Sequence, residues 1–159
     1  MLDEINLQIL HILQKDGRVS NVDIARQVGL TPSATLERIR KLEAEGIIEG
    51  YYARLNPLLL DLDMMAFIFV TTHEPTGSWA AGEDFRKLPE VQGVYAITGE
   101  DCYLLKVRVK DTEGLRLLLR DGIGVVEGVY STRTIVVLGS LEDNLDLPIG
   151  SYGVEEHRE

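Results

Sequence analysis

The chain has 159 residues, of which 45% are hydrophobic and 26% charged, the balance of a soluble globular protein with room for one medium domain or two small ones. Its apolar stretches, Leu58–Leu60 and Met64–Val70 among them, fall far short of the roughly 20 residues a membrane span needs, and Asp3 and Glu4 stand where a signal peptide would carry Lys or Arg. The single cysteine, Cys102, leaves no partner for an internal disulfide and cannot alone build a thiolate metal site, so a cytoplasmic location is the expectation.

A net charge of −10 argues against nucleic acid only if the charge is spread evenly, and it is not. Residues 1–55 hold seven Lys/Arg against eight Asp/Glu, whereas residues 56–159 hold nine against eighteen. Between Val22 and Lys41 the cations Arg26, Arg38, Arg40 and Lys41 outnumber Asp23 and Glu37. DNA binding would therefore be local and helped by a dimer that doubles the contacts.

Three helices are expected first. Asp3 caps one by accepting backbone N–H bonds, Ile5, Ile9, Ile12 and Leu13 share a face, and Gly17 is expected to end it in the left-handed conformation. Ser20 caps a second helix, whose inward residues are Ile24, Ala25 and Val28 and which Gly29 ends. Thr31-Pro32 opens a third, with a capping hydroxyl followed by Pro at the first helical position. Its apolar stripe is Leu36, Ile39 and Leu42, and Gly46 ends it. Ile47–Leu55 has β-favouring residues and is expected to form a wing or linking strand, and Asn56-Pro57 marks a boundary.

The period then changes. Met64–Thr72 is a nearly continuous apolar run suited to a central strand, and Pro75-Thr76-Gly77-Ser78 is a loop. About ten helical residues from Trp79 precede a strand over Val91–Thr98 and a tight connection at Gly99-Glu100-Asp101. In Tyr103–Val109, Leu105, Val107 and Val109 alternate with Lys106 and Arg108. A helix from Asp111-Thr112 to about Arg120 is ended by Gly122 and Gly124, and Val129–Leu138 is the last strand. The order is β-α-β-β-α-β, the split βαβ of ferredoxin-like domains. The fold class expected is thus α+β, with a winged helix-turn-helix over 1–55, a linker over 56–63, a ferredoxin-like domain over 64–140, and an acidic tail over 141–159 that is partly ordered and then frayed.

Two short helices joined through Gly29, the second carrying Ser, Thr and Arg, fit a DNA-binding helix-turn-helix. Opposite Leu36, Ile39 and Leu42 lie Ser33, Ala34, Glu37, Arg38 and Lys41, which can enter the major groove. Arg38 can donate two bonds to guanine, and Glu37 can accept from cytosine or hold Arg38. Lys41 and Arg26 suit phosphate contacts, and Thr31 with the free N–H groups at the helix start can hold a phosphate. Thr35 projects toward the core side. An ordinary solvated helix face is the plain alternative. The paired helices, the turn glycine and the local charge reversal weigh against it.

The segments Leu13-Gln14-Lys15-Asp16-Gly17-Arg18, Val28-Gly29-Leu30-Thr31-Pro32, Leu36-Glu37-Arg38-Ile39, Leu42-Glu43-Ala44-Glu45-Gly46-Ile47-Ile48, Tyr103-Leu104-Leu105-Lys106 and Thr132-Arg133-Thr134-Ile135-Val136-Val137 together resemble the leucine-responsive regulator/AsnC, or feast/famine, family. The resemblance runs from residue 2 to about 138. It implies a transcriptional regulator with double-stranded DNA as partner, homodimers formed through the C-terminal domain and often joined into octamers, and an amino acid or related effector bound between C-terminal domains. No cofactor, metal or membrane partner is expected.

The same resemblance points to an effector region and to a departure there. The family's loop usually reads Gly-Asp-aromatic-Asp before Tyr-Leu-Leu, whereas this chain reads Gly99-Glu100-Asp101-Cys102-Tyr103. A carboxylate at this turn can pair with an effector's ammonium group. Cys102 replaces the second aspartate, so that role passes to Asp101 or Glu100, or the site takes another ligand or none. Ser131, Thr132 and Thr134 can supply hydroxyls to a bound carboxylate, though strand threonines are also simply good β-formers. A polar hairpin turn with no ligand is the plain reading. Two other functions share this layout, a tetrapyrrole decarboxylase and a nucleoid-like DNA-wrapping protein. Against an enzyme, His11, His73 and His157 have no metal-ligand spacing and no Ser/His/Asp or paired-acid arrangement stands out.

Overall fold

The computed structural model describes residues 2–75, 77–141, 143, 144 and 146–149. Thr76 of the expected loop, His157 and the rest of the acidic tail from 150 onward lie outside the described residues. The chain divides into two compact units, one holding the chain up to Arg54 with the described residues after 142, the other spanning Leu55–Leu141.

The first unit is built on α1 (Glu4–Lys15), α2 (Asn21–Val28) and α3 (Pro32–Ala44). Each start is fixed by the side chain expected to fix it. The Asn6, Asp23 and Ala34 amides donate to the side chains of Asp3, Ser20 and Thr31, satisfying donors that a helix start leaves unpaired. Gly29, at φ 72°, ends α2 in the left-handed region, where a Cβ is disfavoured. Gly17 does not play that part for α1. The helix closes on Asp16 in an extended conformation, and the Asp16 carboxylate accepts from the Arg18 amide. Gly17 is there for space, because a Cβ on it would sit 3.1 Å from the Tyr51 ring.

Ile9, Ile24, Ile39 and Leu42 form the core of this unit, and Thr35 is fully buried beside them. Leu36, expected in the stripe, is only half-buried. The segment expected as a wing strand is irregular from 49 to 56. A strand needs a ladder partner, and no strand of this unit is present among the described residues.

In the second unit a 3₁₀ turn (Pro57–Leu60) leads to β1 (Met64–Thr72), α4 (Ala80–Phe85), β2 (Val91–Ala96), β3 (Tyr103–Val109), α5 (Thr112–Leu117), a π turn (Leu118–Ile123) and β4 (Val129–Val136). The sheet order is β2-β3-β1-β4, and each neighbouring pair is antiparallel. The β-α-β-β-α-β reading and the bounds of β1 and β3 match the expectation. Both helices are shorter than expected. After Phe85 the Lys87 and Leu88 amides bond three residues back, a tightening that ends α4 before Pro89. After Leu117 the turn widens, with Gly122 inside the π turn rather than at its end; a Cβ there would meet Leu118 at 3.0 Å and Leu88 at 3.5 Å.

Ala66, Ile68, Val70, Tyr103, Leu105, Val107 and Val109 share one face of the sheet, and with Phe85, Leu115, Leu118 and Ile123 they make the core. By the period-2 alternation of strands, the opposite face carries Phe67, Phe69, Leu104, Lys106, Arg133 and Ile135. Nothing within this unit covers that face as completely, and Ile135 remains exposed.

Candidate functional site

The buried residues of α3 fix which way it faces. They are Thr35, Ile39 and Leu42, not Leu36, Ile39 and Leu42. At about 100° per residue, exchanging Leu36 for Thr35 turns the inward direction by about 30°. About the sequence-based axis, Arg38 and Arg40 lie equally far from the outward direction. After the turn, Arg40 lies about 45° from it and Arg38 about 115°. Ser33, Glu37, Arg40, Lys41 and Ala44 are all exposed, and Arg40 makes no ion pair among the described residues.

Arg38 is occupied elsewhere. Its Nη1 donates to Asp3 Oδ2 at 2.6 Å and to Asn6 Oδ1 at 2.9 Å. The hydrogen bond from Arg38, then that from the Asn6 amide, holds the Asp3 carboxyl below its usual range. Asp3 thus caps α1 and ties it to α3 at once. Ala34, Glu37, Arg38 and Lys41 line a groove with Asp3 and Asn6 rather than one flat outer face. Lys41 is 3.8 Å from Glu45, and Arg26 pairs with Asp23 at 3.0 Å. Thr31 Oγ1 accepts from the Ala34 amide and lies 3.2 Å from Ser33 Oγ. Beyond α3, the Tyr51 hydroxyl donates to Glu43; burial and that bond push it up to about 12, so it stays a neutral donor.

The effector candidates divide between the two faces of the sheet. Gly99 sits in the β2–β3 turn at φ 127°, and Glu100 is exposed beside it. Asp101 accepts from Arg133 Nη2 at 2.9 Å and from Thr71 Oγ1 at 3.3 Å, while the Arg133 guanidinium lies 4.0 Å from the centre of the Phe69 ring. Ser131 pairs with Thr71 in register and so shares that face. Thr132 and Thr134 pair with Val70 and Ile68 and face the other way, as does Tyr103, which is 4% exposed. Cys102 is not offered to a ligand either. It packs against the core and is bonded to the Thr72 backbone, accepting from its amide at 3.5 Å and donating to its carbonyl at 3.7 Å.

Glu74 is a residue the sequence did not single out. It accepts from Thr72 Oγ1, Ser78 Oγ, the Ala81 amide and Tyr103 Oη, all at 3.0–3.1 Å. Burial pushes its carboxyl up, but the four donors outweigh burial and leave it below the usual range. Burial and the bond to Glu74 push the Tyr103 hydroxyl up. Neither Glu74 nor Arg133 had a signal in spacing, since both roles arise from cross-strand and loop contacts. No group of three or more His, Cys, Asp or Glu among the described residues could hold a metal ion, and no helix of the described residues is long and apolar enough to cross a membrane.

Known proteins agree with this division. Residues 2–49 match the winged helix-turn-helix DNA-binding model, and residues 65–146 match the Lrp/AsnC ligand binding domain. The chain is 41% identical over 152 residues to the leucine-responsive regulatory protein of Escherichia coli, covering 93% of this chain and 92% of that protein. Its fold is similar to a transcriptional regulator of Neisseria meningitidis in complex with L-methionine, with TM-score 0.86 and 34% identity over 94% of this chain and 98% of the other. A feast or famine regulatory protein of M. tuberculosis complexed with L-methionine gives TM-score 0.86 and 31% identity, covering 92% and 99%. These relatives are regulators, which favours that reading over the decarboxylase and the nucleoid-like protein.

Proposed function

Since the chain belongs to the Lrp/AsnC family of DNA-binding transcriptional regulators with a small-molecule ligand-binding domain, we propose that it reads DNA through the outward face of α3 and answers to an α-amino acid held near Asp101 and Arg133. It is a regulator, not an enzyme. The observation that carries the DNA half is the burial of Thr35, which turns Ser33, Glu37 and Arg40 outward and supports their meeting the major groove. Arg40 takes the base-reading role and Glu37 accepts from cytosine or steers Arg40. Lys41, Arg26 and Thr31 contact phosphate, Ala34 lies at the edge of the interface, and Arg38 supports the helix from behind.

The effector class follows from a matched pair of charges. Asp101, in the turn before β3, and Arg133, on β4, already form an ion pair. A zwitterion inserted between them gives its ammonium to Asp101 and its carboxylate to Arg133, each a charge-assisted bond. Ser131 and Thr71 stand on the same face to complete it, and Gly99 with Glu100 forms the rim. The L-methionine bound in two similar proteins supports this class. Homodimers form through the sheet face bearing Phe67, Phe69 and Ile135, since two such faces would bury each other's apolar surface. Assembly to an octamer rests on the family resemblance, and a cytoplasmic location on the need to meet DNA.

The test is calorimetry of L-methionine and the other amino acids against the purified chain and against Asp101→Asn, beside a gel shift on duplex DNA. The expected result is a duplex shift, and binding of at least one amino acid that Asp101→Asn weakens at least tenfold. Amino-acid binding unchanged in Asp101→Asn would place the effector elsewhere, and no duplex shift would end the DNA reading.

A further inference from the structure

The first unit includes a short acidic segment from the far end of the chain. Gln14, on α1, faces Leu147 with its whole carboxamide. Its Nε2 donates to the Leu147 carbonyl at 2.9 Å, and its Oε1 accepts from the Leu147 amide at 3.1 Å. Two bonds side by side fix the register, because in an extended chain the next residue's N–H and C=O point the other way. Nearby, Arg54 Nη2 donates to the Asp143 carbonyl at 2.9 Å. The segment also has local structure of its own, with the Asp146 amide donating to Asn144 Oδ1 and the Ile149 amide to the Leu147 carbonyl.

We propose that residues 143, 144 and 146–149, docked on Gln14 and Arg54, are a built-in competitor of DNA for the DNA-binding unit. The inference rests on the DNA-binding reading above. The first 55 residues have only seven cations against eight acids, so each free cation counts, and the segment engages one of them. It also adds the charges of Asp143 and Asp146 to the unit that must approach a polyanion. Undocking frees Arg54 Nη2 from the Asp143 carbonyl for a phosphate and takes two acidic residues off the unit. By linkage, a segment that lowers DNA affinity must in turn be loosened by DNA.

Two full-length variants separate the segment from the fold. Gln14→Ala removes the dock, and Leu147→Pro removes the amide that Gln14 accepts from while leaving the helices untouched. Fluorescence anisotropy with a mixed-sequence duplex is expected to show both variants binding more tightly than wild type. One further phosphate contact steepens the log–log salt slope by about 0.9, so the gain is roughly threefold larger at 50 mM than at 200 mM salt. Saturating duplex is expected to speed hydrogen exchange at the Leu147 amide of wild type. If wild type binds duplex and both variants bind no tighter, the competitor role is overturned. If neither wild type nor variants bind, the DNA-binding reading falls and takes this inference with it.

Discussion

Truncating Arg40 and Arg38 separately decides which face of α3 meets DNA. Arg40 is exposed and makes no ion pair among the described residues, so Arg40→Ala should leave thermal stability unchanged and act on binding alone. If Arg40 donates to a guanine edge, its loss costs about 1–3 kcal/mol at the preferred sequence and relaxes base preference there. If it meets a phosphate instead, binding weakens alike on all sequences and the salt slope falls by about 0.9. Arg38 is held by Asp3 and Asn6 at 2.6 and 2.9 Å, so Arg38→Ala should lower stability, leave the salt slope unchanged and keep base preference. Asp3→Asn keeps a capping side chain and should resemble Arg38→Ala in all three readouts. The assay is anisotropy on a set of duplexes at several salt concentrations, with melting followed by circular dichroism. The reasoning is refuted if Arg38→Ala flattens the salt slope or relaxes base preference while Arg40→Ala binds like wild type.

Further outcomes follow from the same contacts. Thr35 Oγ1 is buried without a hydrogen-bond partner among the described residues, so the near-isosteric Thr35→Val should stabilise the first unit by about 1 kcal/mol; a lower denaturation midpoint would contradict this. Glu74→Ala removes the acceptor of the Tyr103 hydroxyl, on a residue that is 4% exposed, and should cost about 1–3 kcal/mol, with Tyr103→Phe in the Glu74→Ala background adding little further loss. The Glu74 carboxyl is lowered on folding from its ordinary value of 4.5, so its contribution is full above that pH and is lost as pH falls through the lower folded value; the stability gap between wild type and Glu74→Gln should narrow below about pH 4.5, and a gap that widens on acidification would show the sign is wrong. Light scattering at micromolar concentration should give at least a dimer mass, and a substitution such as Phe69→Glu on the open sheet face should lower it; a monomeric wild type would remove the dimer from the argument.

The helix starts, the helix-turn-helix and the β-α-β-β-α-β order were legible in the sequence, because each depends on residues close together in the chain; a ligand-binding second half was legible only through the family resemblance. Asp3, Ser20 and Thr31 cap helices within three residues of themselves, and the runs that became β1 and β3 carry their own apolar pattern. The facing of α3 was legible only in part. Thr35 was read as projecting toward the core side, but the more apolar Leu36 was put in the stripe; Thr35 is the one buried, and that turn of about 30° brings Arg40 toward the outward direction and carries Arg38 away from it. In the ligand-binding half, the sequence named Asp101 but had no means of finding Arg133 and Thr71, which reach it only through the register of β1 with β4. The four donors on Glu74 come from a strand end, a loop, a helix start and a second strand. Local patterns fix local structure because a cap or an apolar alternation acts over a few residues. Which side chains finally meet is decided by how whole elements rotate and register against each other, and that exists only once the chain has folded.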